Sequence, residues 1–236
     1  MSIAENIVRI EERIHSAARR VHRRAEEIRL MGVTKTVLPD RIHEAYGAGL
    51  RSFGENRVQE FAGKAPFLRH LEQAEWHMIG HLQSNKVSKA AELFSHIDSI
   101  DSLRLARKLN SVRAPERKIV LLEINIGNEE AKSGMRPDSS ELQELLEAAP
   151  ELSFLEFRGL MTVPPYRDDP DESRPYFRRT RALFEQIAGR KAQNVRMEIL
   201  SMGMSHDFEI AIEEGSTCVR LGAAIFGERP VPRSGH

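Results

Sequence analysis

Reactive side chains in this sequence gather where short apolar runs stop. Lys35 follows the run Arg29–Thr34, and the alternation of a strand puts Met31, Val33 and Lys35 on one side. The same parity groups Met197, Ile199 and Ser201, and separately Cys218 and Arg220. An amine, a hydroxyl and a guanidinium can therefore share one space. A lysine ending a buried strand loses hydration, and a cationic neighbour such as Arg220 further favours the neutral amine. A neutral amine attacks carbonyl compounds and forms Schiff bases. The competing reading is a lysine that reaches solvent or pairs with a carboxylate, the commoner fate at a strand end. Spacing alone leaves both open.

Two stretches of small residues stand near the same ends. Leu200-Ser201-Met202-Gly203-Met204-Ser205 leads into a helical pattern, and Arg220-Leu221-Gly222-Ala223-Ala224 offers a second turn. Small residues let the backbone approach a ligand, and exposed N–H groups at a helix start attract an anion. Tight turns need glycine regardless, so each stretch alone is also ordinary chain reversal. Other candidates point away from chemistry. His77 and His81 lack an evident acidic third ligand, so no metal site is expected. Asp168, Asp169, Asp171 and Glu172 read as a surface loop, and Cys218 as packing. The GxSxG, GxxxxGKS/T and HExxH patterns do not occur.

Positioning such groups requires a repeated strand-and-helix frame. Candidate strands are Arg29–Thr34, Arg51–Gly54, Glu75–Gly80, His96–Ile100, Lys118–Ile126, Phe157–Val163, Met197–Met202 and Thr217–Leu221. Helical patterns such as Asp40–Ala48, Ser102–Asn110, Ser139–Ala149 and Arg174–Ala188 lie between them. Pro39 marks a helix start, and Gly49 and Gly215 mark helix ends. Ahead of the first strand, Ile3, Ile7, Ile10, Ile14, Ala17, Val21, Ala25 and Ile28 form one stripe at helical spacing. The expected architecture is an α/β fold, a single (β/α)8 TIM barrel with an extra N-terminal helix. Its divisions are a helix over 1–28, a barrel over 29–228 and a frayed tail over 229–236. A doubly wound sheet is the competitor, but the glycine-rich turn it uses after its first strand is missing at Val33-Thr34-Lys35-Thr36. In a barrel, ligand groups sit at the C-terminal strand ends, here Lys35, Asn56, the His77–His81 segment, Asn125, Met161, Ser201 and Arg220.

Composition narrows the classes further. The 236 residues carry 35 Lys+Arg against 35 Asp+Glu, which removes the simplest electrostatic case for nucleic acid or an anionic membrane. A single cysteine cannot form an internal disulfide, which suggests a reducing, cytoplasmic setting. No apolar run reaches membrane-spanning length. The arginine-rich face of the first helix is interleaved with Glu5, Glu11, Glu12, Glu26 and Glu27 and reads as solvated.

Taken together, the motifs resemble a known family. Val33-Thr34-Lys35-Thr36, Phe53-Gly54-Glu55-Asn56-Arg57-Val58-Gln59-Glu60 and Trp76-His77-Met78-Ile79-Gly80-His81-Leu82-Gln83-Ser84-Asn85-Lys86 look like the YggS/PROSC family of pyridoxal 5′-phosphate (PLP) homeostasis proteins. The likeness continues through Asn125-Ile126-Gly127, Lys132-Ser133-Gly134, Gly159-Leu160-Met161-Thr162, the Ser201–Ser205 turn and Arg220–Gly227. It implies a fold-type III PLP barrel, akin to the alanine racemase N-terminal domain, with PLP as a Schiff base on Lys35. Arg220 would face the pyridine nitrogen and keep it unprotonated. Ser201, Gly222 and Ala223 would hold the phosphate, and Asn56, His77 and Met161 would flank the ring or support it. Two positions depart from the family pattern: Ala223 stands where threonine is common, and His206 where aspartate is usual.

The resemblance implies a carrier that buffers PLP and delivers it to apo-enzymes. The alternative is a PLP-dependent amino-acid racemase, which needs proton donors on both faces of the substrate carbon. In fold-type III racemases a second domain and a partner subunit complete that arrangement. A chain ending soon after its eighth strand is expected to lack them, which favours the carrier and a monomer. Expected partners are PLP, apo PLP-dependent enzymes and amino acids. Lys132, in the Ala131-Lys132-Ser133-Gly134 turn, is a secondary candidate for meeting the aldehyde.

Overall fold

The computed structural model describes residues 1–112, 116–190 and 192–227. The tail expected over 229–236 lies outside them. The described residues form a closed barrel of eight parallel strands in sequence order. The strands are β1 (Arg29–Val33), β2 (Ser52–Glu55), β3 (Glu75–Met78) and β4 (His96–Ile100), then β5 (Lys118–Ile124), β6 (Leu155–Thr162), β7 (Val195–Ser201) and β8 (Cys218–Leu221). Closure between β1 and β8 excludes the open doubly wound sheet. Strands β2, β4 and β8 are buried at every position, as expected where helices cover one face and the barrel interior the other.

Helices fill the connections. They are α1 (Ile3–Arg20), α2 (Pro39–Gly47), α3 (Val58–Leu68), α4 (Val87–Leu93) and α5 (Leu103–Asn110), followed by α6 (Ser140–Ala148), α7 (Arg174–Ala188), α8 (Phe208–Glu213) and α9 (Ala223–Phe226). Pro39 occupies the first turn of α2, where its missing N–H costs nothing. Gly49 and Gly215 take positive φ just past α2 and α8, where side chains are disfavoured.

Helix α1 starts with a capping box between Ser2 and Glu5. Its buried Ile3, Ile7, Ile10 and Ile14 face α2, α8 and α9, the helices around the β1–β8 seam. Each such isoleucine contributes about 1.5–3 kcal/mol by burial. Polar ties fix the register: Asn6 Nδ2 donates to the Ile225 carbonyl at 2.9 Å, and Arg13 pairs with Glu209 at 3.2 Å. The helix is shorter than its apolar stripe suggests. It stops at Arg20 because His22 adopts φ 56°, sending the Arg23 N–H back to the Ala18 carbonyl and its own N–H to Arg19. Arg23 then anchors to the carbonyls of Ile212 and Ser216, and that tertiary tie replaces further helix.

Candidate functional site

Strand β1 delivers Lys35 into a turn fastened from behind. The Thr34 hydroxyl donates to Glu55 Oε1 at 2.8 Å, and Lys64 Nζ reaches the Thr34 carbonyl at 2.8 Å. The next residue, Thr36, sits at φ 63°, a costly conformation for a β-branched side chain. Its N–H donates to Glu60 Oε1 at 2.5 Å. Lys64 ties both acids together, at 2.9 Å from Glu55 and 2.6 Å from Glu60. Burial raises the Glu55 pKa despite Lys64 and Thr34, whereas at Glu60 burial is outweighed by Lys64 and the Thr36 N–H, and the pKa falls. The strained turn is thus held by an ionic clamp on β2 and α3.

Arg220 is buried on β8 inside the barrel. Its Nη1 donates to Ser201 Oγ at 2.7 Å and its Nη2 to the Thr162 carbonyl at 2.8 Å. Burial lowers its pKa from the ordinary value, with Asp207 and Glu123 among the groups opposing that fall. An arginine in such surroundings still keeps its charge. Met161 is buried on β6, in register with Ser201 on β7 and Glu123 on β5. Gly203 sets the turn after Ser201: it takes φ 96°, and a Cβ there would lie 2.6 Å from the Ala211 Cβ.

Lys35, Thr36, Gly222, Ala223 and Phe226 line one cavity of about 160 Å³ between the ends of β1 and β8. Gly222 has no positive φ, and a Cβ would meet Val33 only at an ordinary 3.5 Å. Packing therefore does not demand glycine, and the space it leaves is available to a ligand. Asn56 lines a separate crevice of about 350 Å³ with Met78, Gly80 and His81. Its Oδ1 is buried with no hydrogen-bond partner among the described residues.

Comparison with known proteins matches this architecture. The profile of the alanine racemase N-terminal domain covers residues 9–230. The pyridoxal phosphate homeostasis protein of Aquifex aeolicus is 45% identical over 232 residues, covering 97% of this chain and 99% of that protein. Its Escherichia coli counterpart is 43% identical over 234 residues, covering 96% and 97%. The chain belongs to the pyridoxal phosphate homeostasis protein family. Among solved structures, PipY of Synechococcus elongatus with PLP bound superimposes with TM-score 0.83 at 32% identity, covering 96% of this chain and 100% of that one. Alanine racemase of Corynebacterium glutamicum, at 19% identity and TM-score 0.70, shares the fold over 99% of this chain and 63% of its own length.

For a pyridoxal phosphate homeostasis family member, the site residues divide into groups. Lys35, Gly222 and Ala223 meet in one cavity, while Arg220 donates to Ser201, and Met161 lies in register with Ser201 on the neighbouring strand. Asn56 faces the adjacent crevice. His77 belongs elsewhere: it lies inside the barrel, donating from Nδ1 to Asp98 Oδ2 at 3.0 Å and stacked on His96 with centroids 4.1 Å apart. Burial works against charging His77, but Asp98 and Glu75 outweigh it and raise its pKa; burial and His77 push His96 down to about 4.

Ala223 and His206, the two positions singled out in the sequence, also find places. Ala223 lines the cavity without a hydroxyl. The His206 Nε2–H reaches the carbonyls of Arg167 and Asp168 at 3.1 Å, and its ring stacks on Tyr166 at 5.5 Å, so it fastens the loop after β6. Lys132 is engaged by Glu129 at 2.5 Å and the Pro164 carbonyl at 3.0 Å, a clamp between the loops after β5 and β6. Sequence reasoning missed Glu123, whose pKa is pushed up to about 7 by burial and by Asp101, against the pull of Arg220. A lone acid within the apolar run Ile119–Ile126 was the available signal. It also missed the Glu60–Lys64 pair, visible as opposite charges four residues apart on α3.

Proposed function

We propose that this protein binds PLP at the β1–β8 mouth, attached through Lys35, and acts in intracellular PLP homeostasis. The observation that carries the reading is the shared cavity of Lys35, Gly222 and Ala223, two residues beyond the buried guanidinium of Arg220. PLP supplies an aldehyde that condenses with a primary amine. The chain supplies complementary groups: an amine on a fixed turn, small residues that admit a phosphate, and a permanent cation that discourages protonation of a nearby pyridine nitrogen. Ser201 orients that cation through its 2.7 Å hydrogen bond. Met161 and the unpartnered Asn56 Oδ1 stand ready to flank the ring, whereas His77, expected to support it, is instead engaged by Asp98 and His96. The PLP bound by PipY and the names of the curated relatives support the same reading.

The protein works, on this reading, as a cytoplasmic single-domain monomer whose partners are PLP and apo-enzymes that need it. No described helix is long and apolar enough to cross a membrane. Reconstitution with PLP, followed by absorption spectroscopy and borohydride reduction, tests the attachment. Wild type gives a visible band and a reduced adduct mapped to Lys35, and Lys35→Ala gives neither. Wild type lacking both would overturn the attachment. Delivery requires transfer to an apo-enzyme faster than the rate from free PLP in the presence of a PLP trap. Sustained α-proton exchange on an amino acid would replace the carrier reading with the racemase one.

A further inference from the structure

Away from the Lys35 mouth, at the other end of the barrel, lies a cluster that the PLP reading does not use. Glu75 opens β3 and His96 opens β4, with His77 between them in register with His96. Among the described residues, Glu75, His77 and His96 each place a potential ligand atom within 4.8 Å of the other two. From this geometry we infer a divalent-cation site of the zinc class, with Glu75, His77 and His96 as its protein ligands.

The tautomers are set for it. Asp98 Oδ2 lies 3.0 Å from His77 Nδ1, and an ionised carboxylate only accepts, so the proton sits on Nδ1. Ser95 has one hydroxyl proton, given to the Trp76 carbonyl at 3.1 Å, so its 3.0 Å contact with His96 is accepted from Nδ1–H. With Nδ1 protonated on both rings, Nε2 is the nitrogen each ring turns to a metal, and any proton on it leaves as the cation binds. This is the outer-sphere arrangement that orients histidines on metals, with a carboxylate behind one and a hydroxyl behind the other. Glu75 Oε2 lies 3.9 Å from His77 Nε2 and contributes an anionic oxygen. Two nitrogens and one carboxylate oxygen suit a borderline cation and leave a fourth position for solvent.

Charge points the same way. Asp98 is buried, and its Oδ1 has no partner among the described residues. Arg29, paired with Glu75, is the one side-chain cation hydrogen-bonded to the cluster among the described residues. Access exists, because Glu75 and Ser52 line an open crevice of about 410 Å³ with Arg29 and Arg51. The cation would displace the Ser52 contact on His77 Nε2, now at 3.1 Å, and loosen Arg29 from Glu75. It would then bridge β3 to β4, whose ladder is brief, at His77–His96 and Met78–Ile97. Stability, not chemistry at the mouth, is the expected role for that end of a barrel.

Cobalt substitution tests this on the full chain, both PLP-free and PLP-loaded. Wild type should bind one Co²⁺ with visible ligand-field bands, unaltered by PLP loading, and Zn²⁺ should displace it and raise Tm. His96→Gln and the milder Glu75→Gln should each weaken Co²⁺ binding at least about tenfold while retaining PLP. His206→Gln, an exposed histidine away from the cluster, should bind as wild type does. Absence of bands in wild type, equal binding by both cluster variants, or competition by PLP would each overturn the site.

Discussion

Glu60 accepts the backbone N–H of Thr36 at 2.5 Å, placing a carboxylate of α3 directly behind the turn that carries Lys35. The same oxygen is held by Lys64, so a side chain on the outer helix restrains the strained φ of Thr36. The position of the amine is therefore decided partly by residues that never enter the cavity.

Lys64→Met tests that restraint. Removing the cation leaves Glu55 and Glu60 uncompensated at a site where Lys64 is only 11% exposed. A loss of about 3–5 kcal/mol is expected, measured by urea unfolding. Adding Glu55→Gln should recover part of it, because the most buried charge then disappears. PLP capture should slow in Lys64→Met even where the protein remains folded, read as a lower rate of visible-band formation.

Ser201→Ala removes the Arg220 Nη1 acceptor, leaving the Thr162 carbonyl as the recorded partner of that guanidinium. A cost of about 1.5–3 kcal/mol follows for a lost hydrogen bond to a buried charge. PLP affinity should fall with stability, and equilibrium dialysis alongside denaturation separates the two. Unchanged affinity would mean that Ser201 does not orient the cation for the cofactor.

Ala223→Thr places a hydroxyl at the cavity wall. One charge-assisted hydrogen bond to phosphate contributes about 1.5 kcal/mol, or roughly tenfold in Kd. Dialysis of the PLP complex should show slower loss from the variant. Equal retention would indicate that backbone N–H groups suffice.

Glu123→Gln separates a pH effect from packing. The Glu123 pKa stands at about 7, above its ordinary 4.5, so the folded state binds more protons than the unfolded chain between those values. Stability contributed through this group therefore falls as pH rises through that window. The full cost is about 3 kcal/mol at pH 8. The PLP-free variant should be more stable than wild type at pH 8, and the difference should vanish near pH 4. Unfolding curves at both pH values decide it.

Much of this frame is legible from residues alone, for a physical reason. A parallel strand is apolar on both faces and short, so runs such as Ile119–Leu122 announce themselves between polar turns. Arg220 and Ser201 were legible as partners because strand parity points both inward. The stop of α1 was not: the usual signal is glycine, and here His22 bears the left-handed turn while apolar spacing runs on to Ile28. The end of β5 was also hidden. Asn125 breaks the ladder by bonding its N–H to the Met135 carbonyl and its side chain to Glu129, contacts no local pattern encodes. The Glu75–His77–His96 cluster escaped because its third member comes from the next strand, and only the pairing register of β3 with β4 brings it near.

The cavity wall has a temporal consequence. It joins the first strand of the barrel to the last, and α1 locks that seam through Asn6 and Ile225, which are 219 residues apart. On a growing or partly unfolded chain Lys35 is present but has no opposing wall, since contacts of such long range form late. With PLP held at this wall as proposed, its retention would serve as a readout of completed topology. An incompletely closed barrel would release its aldehyde instead of shielding it, so quality of folding and custody of a reactive small molecule become one property.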